Sequence, residues 1–223
     1  MSNINENITL LNEETVNSLK ELFNSLVKNV KIVVLVSKDE NVASDMLVKF
    51  VDELSNTSDK LEYSVLEFEN NKKAANMYQV KTAPAIVLLV DDVFKGYVFY
   101  GIPFGREFQS FVNTILMFSN DEFVKTENKE LLERLNKLDK EVFVKIYVTA
   151  NCPYCGPYVE DVVKLILLSD SIYLSVVMAD QYVEDAKSRG IQSVPFTVIN
   201  ETKTLVGRIP VDKLLNEIEL VLD

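Results

Sequence analysis

The chain has 223 residues, 48% of them apolar, with 34 acidic against 23 basic side chains and a formal charge of −11. That length can fill one large or two ordinary cores, and the acidic balance repels phosphate backbones, which argues against nucleic acid as a partner. Histidine is absent and cysteine occurs twice, at Cys152 and Cys155, so the commonest general base and metal ligand is missing.

In chain order, Met1-Ser2-Asn3-Ile4-Asn5-Glu6-Asn7 has neither a basic n-region nor an apolar h-region. No apolar run approaches the roughly 18 residues of a membrane span, and the expectation is a soluble cytoplasmic protein. Apolar residues at i, i+3 and i+4 predict a helix over about 12–29. Ile32-Val33-Val34-Leu35-Val36 reads as a buried strand, and Val48, Val51 and Leu54 as one helical face. A further strand is expected in 61–69, and Ala83-Pro84 opens a proline-led strand. Phe94, Tyr97, Phe99, Tyr100, Phe104, Phe108 and Phe111 read as core and hairpin packing. The polar stretch 119–128 marks the domain boundary, giving units 1–120 and 121–223. A helix over about 127–139 leads the second unit. After it come a strand 142–148, a helix 153–169, a strand 172–179, a short helix 181–189, strands 195–200 and 203–207, and a helix 211–222.

Laid against itself at an offset of 111, the chain aligns without a gap over about sixty positions. Val142 to Val148 falls on Lys31 to Ser37, and Val159, Val162 and Leu165 fall on Val48, Val51 and Leu54. Cys152 and Pro195 are 43 residues apart, as are Asn41 and Pro84. Each unit therefore reads as a βαβ start with a right-handed crossover followed by a hairpin, an α/β arrangement.

Cys152-Pro153-Tyr154-Cys155 follows the strand 142–148 directly. Two intervening residues let the pair exist as dithiol or disulfide, and in a reducing compartment a catalytic bridge is expected before a structural one. If the helix begins at Cys152, its first-turn amides favour a thiolate there, Pro153 suits the first turn, and Cys155 lies one turn inside. Pro157 then removes a helix bond and kinks the helix. Two thiolates without histidine do not close a tetrahedral zinc site in one chain unless carboxylates or a second subunit contribute, so no metal is expected. A cis Val194-Pro195 bond would bring that loop over the cysteines, leaving the main chain of Val194 free for a substrate peptide. Asn41 and Ser44 occupy the cysteine positions of the first unit, where neither can exchange thiols. The plainer role for them is a polar helix cap; the other is a unit that keeps a partner groove near Pro84 after losing its chemistry.

The Cys152-Pro153-Tyr154-Cys155 sequence is that of glutaredoxins. A doubled chain of this length resembles the glutaredoxin-like protein disulfide oxidoreductases, and also the N-terminal domain of the alkyl hydroperoxide reductase flavoprotein, from about residue 12 to the end. The resemblance implies two tandem thioredoxin-like folds, each a central mixed four-stranded sheet flanked by helices. It implies Cys152 as nucleophile, Cys155 as resolving thiol and Pro195 as the cis proline beside them, with Pro153, Tyr154 and Val194 supporting the site. Asn41, Ser44 and Pro84 form a degenerate counterpart. Electrons would pass from a thioredoxin-reductase-like flavoenzyme to protein disulfides or a peroxiredoxin, with no cofactor beyond the Cys152-Cys155 disulfide. Thr149 stands where glutathione-using glutaredoxins carry a lysine, and Val206-Gly207-Arg208-Ile209-Pro210 replaces their Gly-Gly-Asp-like turn, which argues against glutathione as reductant. The competing reading is a thioredoxin-shaped adaptor whose cysteines are incidental.

Overall fold

The computed structural model describes residues 9–39 and 41–222, so the N-terminal stretch read for targeting signals lies outside the described residues. The first half runs α1 (Glu13–Phe23), β1 (Val30–Val36), α2 (Val42–Ser55), β2 (Leu61–Glu67), α3 (Lys72–Met77), β3 (Ala85–Val90), β4 (Val93–Tyr100) and α4 (Arg106–Ser119). After α5 (Asp121–Glu127) and α6 (Lys129–Leu135), the second half repeats the pattern as β5 (Val142–Val148), α7 (Cys155–Leu168), β6 (Ile172–Met178), α8 (Val183–Ser188), β7 (Phe196–Ile199), β8 (Lys203–Val206) and α9 (Val211–Leu222).

Eight strands form one sheet in the order β2-β1-β3-β4-β6-β5-β7-β8. Within each half the first two strands pair in parallel, as a helical crossover requires, and the hairpin adds antiparallel strands. The halves join where β4 pairs with β6 in parallel, from Tyr97 opposite Leu174 to Tyr100 opposite Val177. All of β3 is buried, as its unbroken apolar sequence Ala-Ile-Val-Leu-Leu-Val demands of a central strand covered on both faces. Alternate residues of a strand face opposite sides. Val30, Ile32 and Val34 accordingly join one core with α1, α2, α4, α7 and α9, while Val33 and Leu35 join a second with Ala75 of α3 and Ala186 of α8.

Two expected helices are shorter than their patterns. α1 ends at Phe23 instead of continuing to 29, where the Leu26 amide bonds back to the Phe23 carbonyl in a tight turn. The stretch expected as one helix over 127–139 is split at Asn128. The polar boundary stretch 119–128 is helical and partly buried. Ser119 Oγ accepts the Val27 and Lys28 amides, and Asp121 pairs with Lys28, which holds the Asp121 carboxyl below its ordinary range despite burial. Its polarity reflects partners in the first half. Among the described residues, no helix is long and apolar enough to cross a membrane.

Candidate functional site

β5 ends at Val148, and the chain turns at once: the Cys152 amide donates to the Thr149 carbonyl at 3.1 Å. Cys152 and Cys155 are disulfide-bonded with their Cα atoms 5.5 Å apart. Cys152 keeps 7% of its surface exposed and Cys155 none. Tyr154, between them, is 63% exposed.

The helix begins two residues later than the expected 153 and three later than a start at Cys152. Its first residue is Cys155, and the first α-type bond runs from the Tyr158 amide to the Tyr154 carbonyl. Cys152 therefore precedes the helix, and Cys155 opens it rather than lying one turn inside. Pro157 falls within the first turn, where a backbone amide has no helical partner; it removes no bond, and α7 runs unbroken to Leu168.

The Val194-Pro195 peptide is cis. The Val194 carbonyl oxygen lies 3.8 Å from Cys152 Sγ, and the Gly207 amide donates to the Pro195 carbonyl at 2.8 Å. Beneath them the buried hydroxyls of Tyr158 on α7 and Thr197 on β7 meet at 3.0 Å, tying the cysteine-bearing helix to the proline-bearing strand. The structure thus brings together Cys152, Cys155, Val194 and Pro195.

In the first half, Asn41 caps α2, its Oδ1 accepting the Ala43 and Ser44 amides at 2.9 and 3.3 Å. Ser44 is buried and its Oγ accepts the Ser37 amide at 3.2 Å, joining the end of β1 to α2. The Ala83-Pro84 peptide is cis as well. The second half reaches this region: Tyr182 Oη donates to the Pro84 carbonyl at 2.6 Å, and Gln181 bonds both the amide and the carbonyl of Ile102, at 2.8 and 2.9 Å.

The first half reciprocates through α4. The Arg106 amide donates to the Ala150 carbonyl at 2.9 Å, Ser110 Oγ to the Gly156 carbonyl at 3.1 Å, and Asn113 Nδ2 to Glu160 at 3.0 Å. Glu107 lies in this seam, fully buried, with neither carboxyl oxygen hydrogen-bonded. Burial first, then the charges of Glu160 and Asp180, push its pKa up to about 8, so it is held neutral at pH 7. Gly105 makes the approach possible: its φ is +61°, and a Cβ there would sit 2.4 Å from the Ala150 carbonyl oxygen. Gly105→Ala is expected to destabilise the protein by at least about 2 kcal/mol, measured by urea unfolding; an unchanged midpoint contradicts this packing.

A cleft of about 650 Å³ opens elsewhere, lined among others by Phe94, Tyr100, Phe143, Tyr173 and Tyr182 and by neither cysteine nor Pro195.

Residues 142–219 match the thioredoxin domain family. They form a thioredoxin-like domain. The NTD_N/C domain of alkyl hydroperoxide reductase AhpF from Enterococcus faecalis is similar at a TM-score of 0.83 and 20% identity, covering 93% of this chain and 99% of that one. A protein disulfide oxidoreductase from Aeropyrum pernix is similar at a TM-score of 0.85 and 22% identity, covering 96% and 95%. Among curated proteins, the alkyl hydroperoxide reductase AhpF of Staphylococcus aureus (strain N315) is 24% identical over 209 residues, 94% of this chain and 38% of that protein. A protein named NADH dehydrogenase in Bacillus subtilis (strain 168) is 26% identical over 190 residues, 85% and 34%. The chain spans about a third of the length of these relatives.

The fold of the whole described chain is therefore the doubled thioredoxin-like one, and the thioredoxin-like second half carries the disulfide-bonded pair Cys152 and Cys155. Sequence reasoning does not single out Glu107, Tyr158 or Thr197. Glu107 leaves a signal all the same: it begins the stripe Glu107, Ser110, Phe111, Thr114, Ile115 and Phe118, all buried, and a carboxyl on the apolar face of a helix is out of place.

Proposed function

We propose that this chain is a dithiol-disulfide oxidoreductase whose second half, 121–223, carries the chemistry, while the first, 1–120, is redox-inactive. The Cys152 thiolate attacks one sulfur of a target disulfide, releasing the other as a thiolate and leaving a mixed disulfide. Cys155 gives up its proton and attacks the Cys152 sulfur, which releases the second target thiol and closes the Cys152-Cys155 bond; two electrons have passed to the target. The observation that carries this reading is the placement of the pair: bonded, at the mouth of α7, with the more exposed sulfur against the Val194 carbonyl. Val194 and Pro195 would line the extended target segment, with Pro153 and Tyr154 shaping the opposite side.

Re-reduction would come from a thioredoxin-reductase-like flavoenzyme, and the acceptors would be protein disulfides or a peroxiredoxin, in the cytoplasm and with no further cofactor. Similarity to the alkyl hydroperoxide reductase AhpF supports a peroxide-linked acceptor. Insulin reduction by dithiothreitol tests the assignment: Cys152→Ser is expected to lower the rate to that of dithiothreitol alone, and a wild-type rate in that variant refutes it.

A further inference from the structure

The first half holds no sulfur, yet α4 delivers its first residue, Arg106, to the turn that ends on Cys152. The Arg106 amide bonds Ala150, which lies inside the turn closed between Thr149 and Cys152. Two steps of chain, through Asn151, lead from Ala150 to Cys152, a span of at most about 7 Å. Arg106 is exposed, and among the described residues its guanidinium has no carboxylate within 4.0 Å. The three other arginines all have one: Arg134 pairs with Glu219, Arg189 with Glu201 and Arg208 with Asp161.

The position is also electrostatically adverse for the helix. A cation in the first turn opposes the macrodipole, which favours acidic residues there, so Arg106 does nothing for α4 that a glutamate would not do better. Arg208 follows Gly207, whose amide is bonded to the Pro195 carbonyl. Two arginines thus lie on chain segments bonded to the loops that carry Cys152 and Pro195, on a chain of charge −11. Nearby carboxylates include Asp161, paired with Arg208, Glu160, bonded by Asn113, and Asp180, whose Oδ2 lies 3.5 Å from the Ala150 amide. Glu107 adds no charge here while it stays protonated.

We infer that Arg106 is a specificity residue lent by the first half to the exchange site of the second, and that it selects target disulfides flanked by anionic groups. The inference rests on the exchange reading above. It gives the cysteine-free half a task in recognition, since its fold anchors the Arg106 backbone on the turn that ends at Cys152.

The test compares two small disulfides of opposite charge, dianionic 5,5′-dithiobis(2-nitrobenzoate) and dicationic cystamine. Each is mixed with the reduced full chain, and after acid quenching the oxidised protein is counted by mass spectrometry. Arg106→Glu is expected to slow the dianionic disulfide by about five- to tenfold and to speed the dicationic one, with both changes shrinking at high salt. Arg106→Gln should fall between. Glutamate in the first turn suits the helix dipole, so the variant is expected to fold, and equal thermal midpoints would check this. Equal rate changes for the two disulfides, or none, overturn the assignment of Arg106. If the wild-type protein reacts with neither disulfide faster than a free thiol, the exchange reading itself fails.

Discussion

Replacing Glu107 with glutamine is expected to stabilise the protein at pH 9 by an amount of the order of 4 kcal/mol, while changing little at pH 5. In the folded chain burial pushes the Glu107 carboxyl from an ordinary 4.5 up to about 8, because a carboxylate without hydrogen-bond partners is costly in an apolar seam. The folded state therefore keeps a proton that the unfolded chain releases. The sign follows: the group's stabilising contribution is complete below about pH 4.5 and is lost as pH rises towards 8, at about 1.4 kcal/mol for each pH step. Glutamine keeps the shape and cannot ionise, so the variant should lack that decline. Urea unfolding of both proteins between pH 5 and 9 measures it. Parallel stability profiles would mean that Glu107 ionises in the folded protein as freely as in water.

Cys155→Ser is expected to accumulate a mixed disulfide through Cys152, whereas Cys152→Ser should form almost none through Cys155. The asymmetry follows from exposure: the Cys152 residue reaches the surface beside Val194, and Cys155 is sealed beneath it. With the resolving thiol gone, the first attack proceeds and the second cannot. Each reduced variant is incubated with a disulfide-bonded peptide, and the mass of the adduct is read after alkylation. Equal adduct formation by both variants would remove the order of attack proposed here. Adducts of neither, with partners still retained under reducing conditions, would favour the adaptor reading.

Local patterns gave away a good deal of this molecule, and non-local ones little. The run Val142 to Val148 is a strand over that same range, and the amphipathic stretch 211–222 is a helix over its whole length, since each carries a clean period and definite ends. The repeat also held in three dimensions, because an offset of 111 places β5 on β1 and Pro195 on Pro84, and both proline peptides are cis. What the sequence hid were features set by partners. Pro153 and Pro157 looked like one residue inside the helix start and one beyond the first turn; moving the start to Cys155 put the second proline where no bond is lost. The stretch 119–128 looked like a linker because it is polar, yet its polar groups satisfy Lys28 and the amides of the first half. The pairing of β4 with β6, and of α4 with the cysteine loop, depends on which edges two separate repeats leave open, and no local pattern records that.

The central claim is that the Cys152-Cys155 bond opens and closes in function. Equilibrating the protein in glutathione or dithiothreitol buffers of graded ratio, with alkylation and mass spectrometry as readout, gives its reduction potential. A single two-electron transition between about −120 and −270 mV, the range of exchange proteins, is predicted. A midpoint below about −300 mV, where structural disulfides lie, would contradict it.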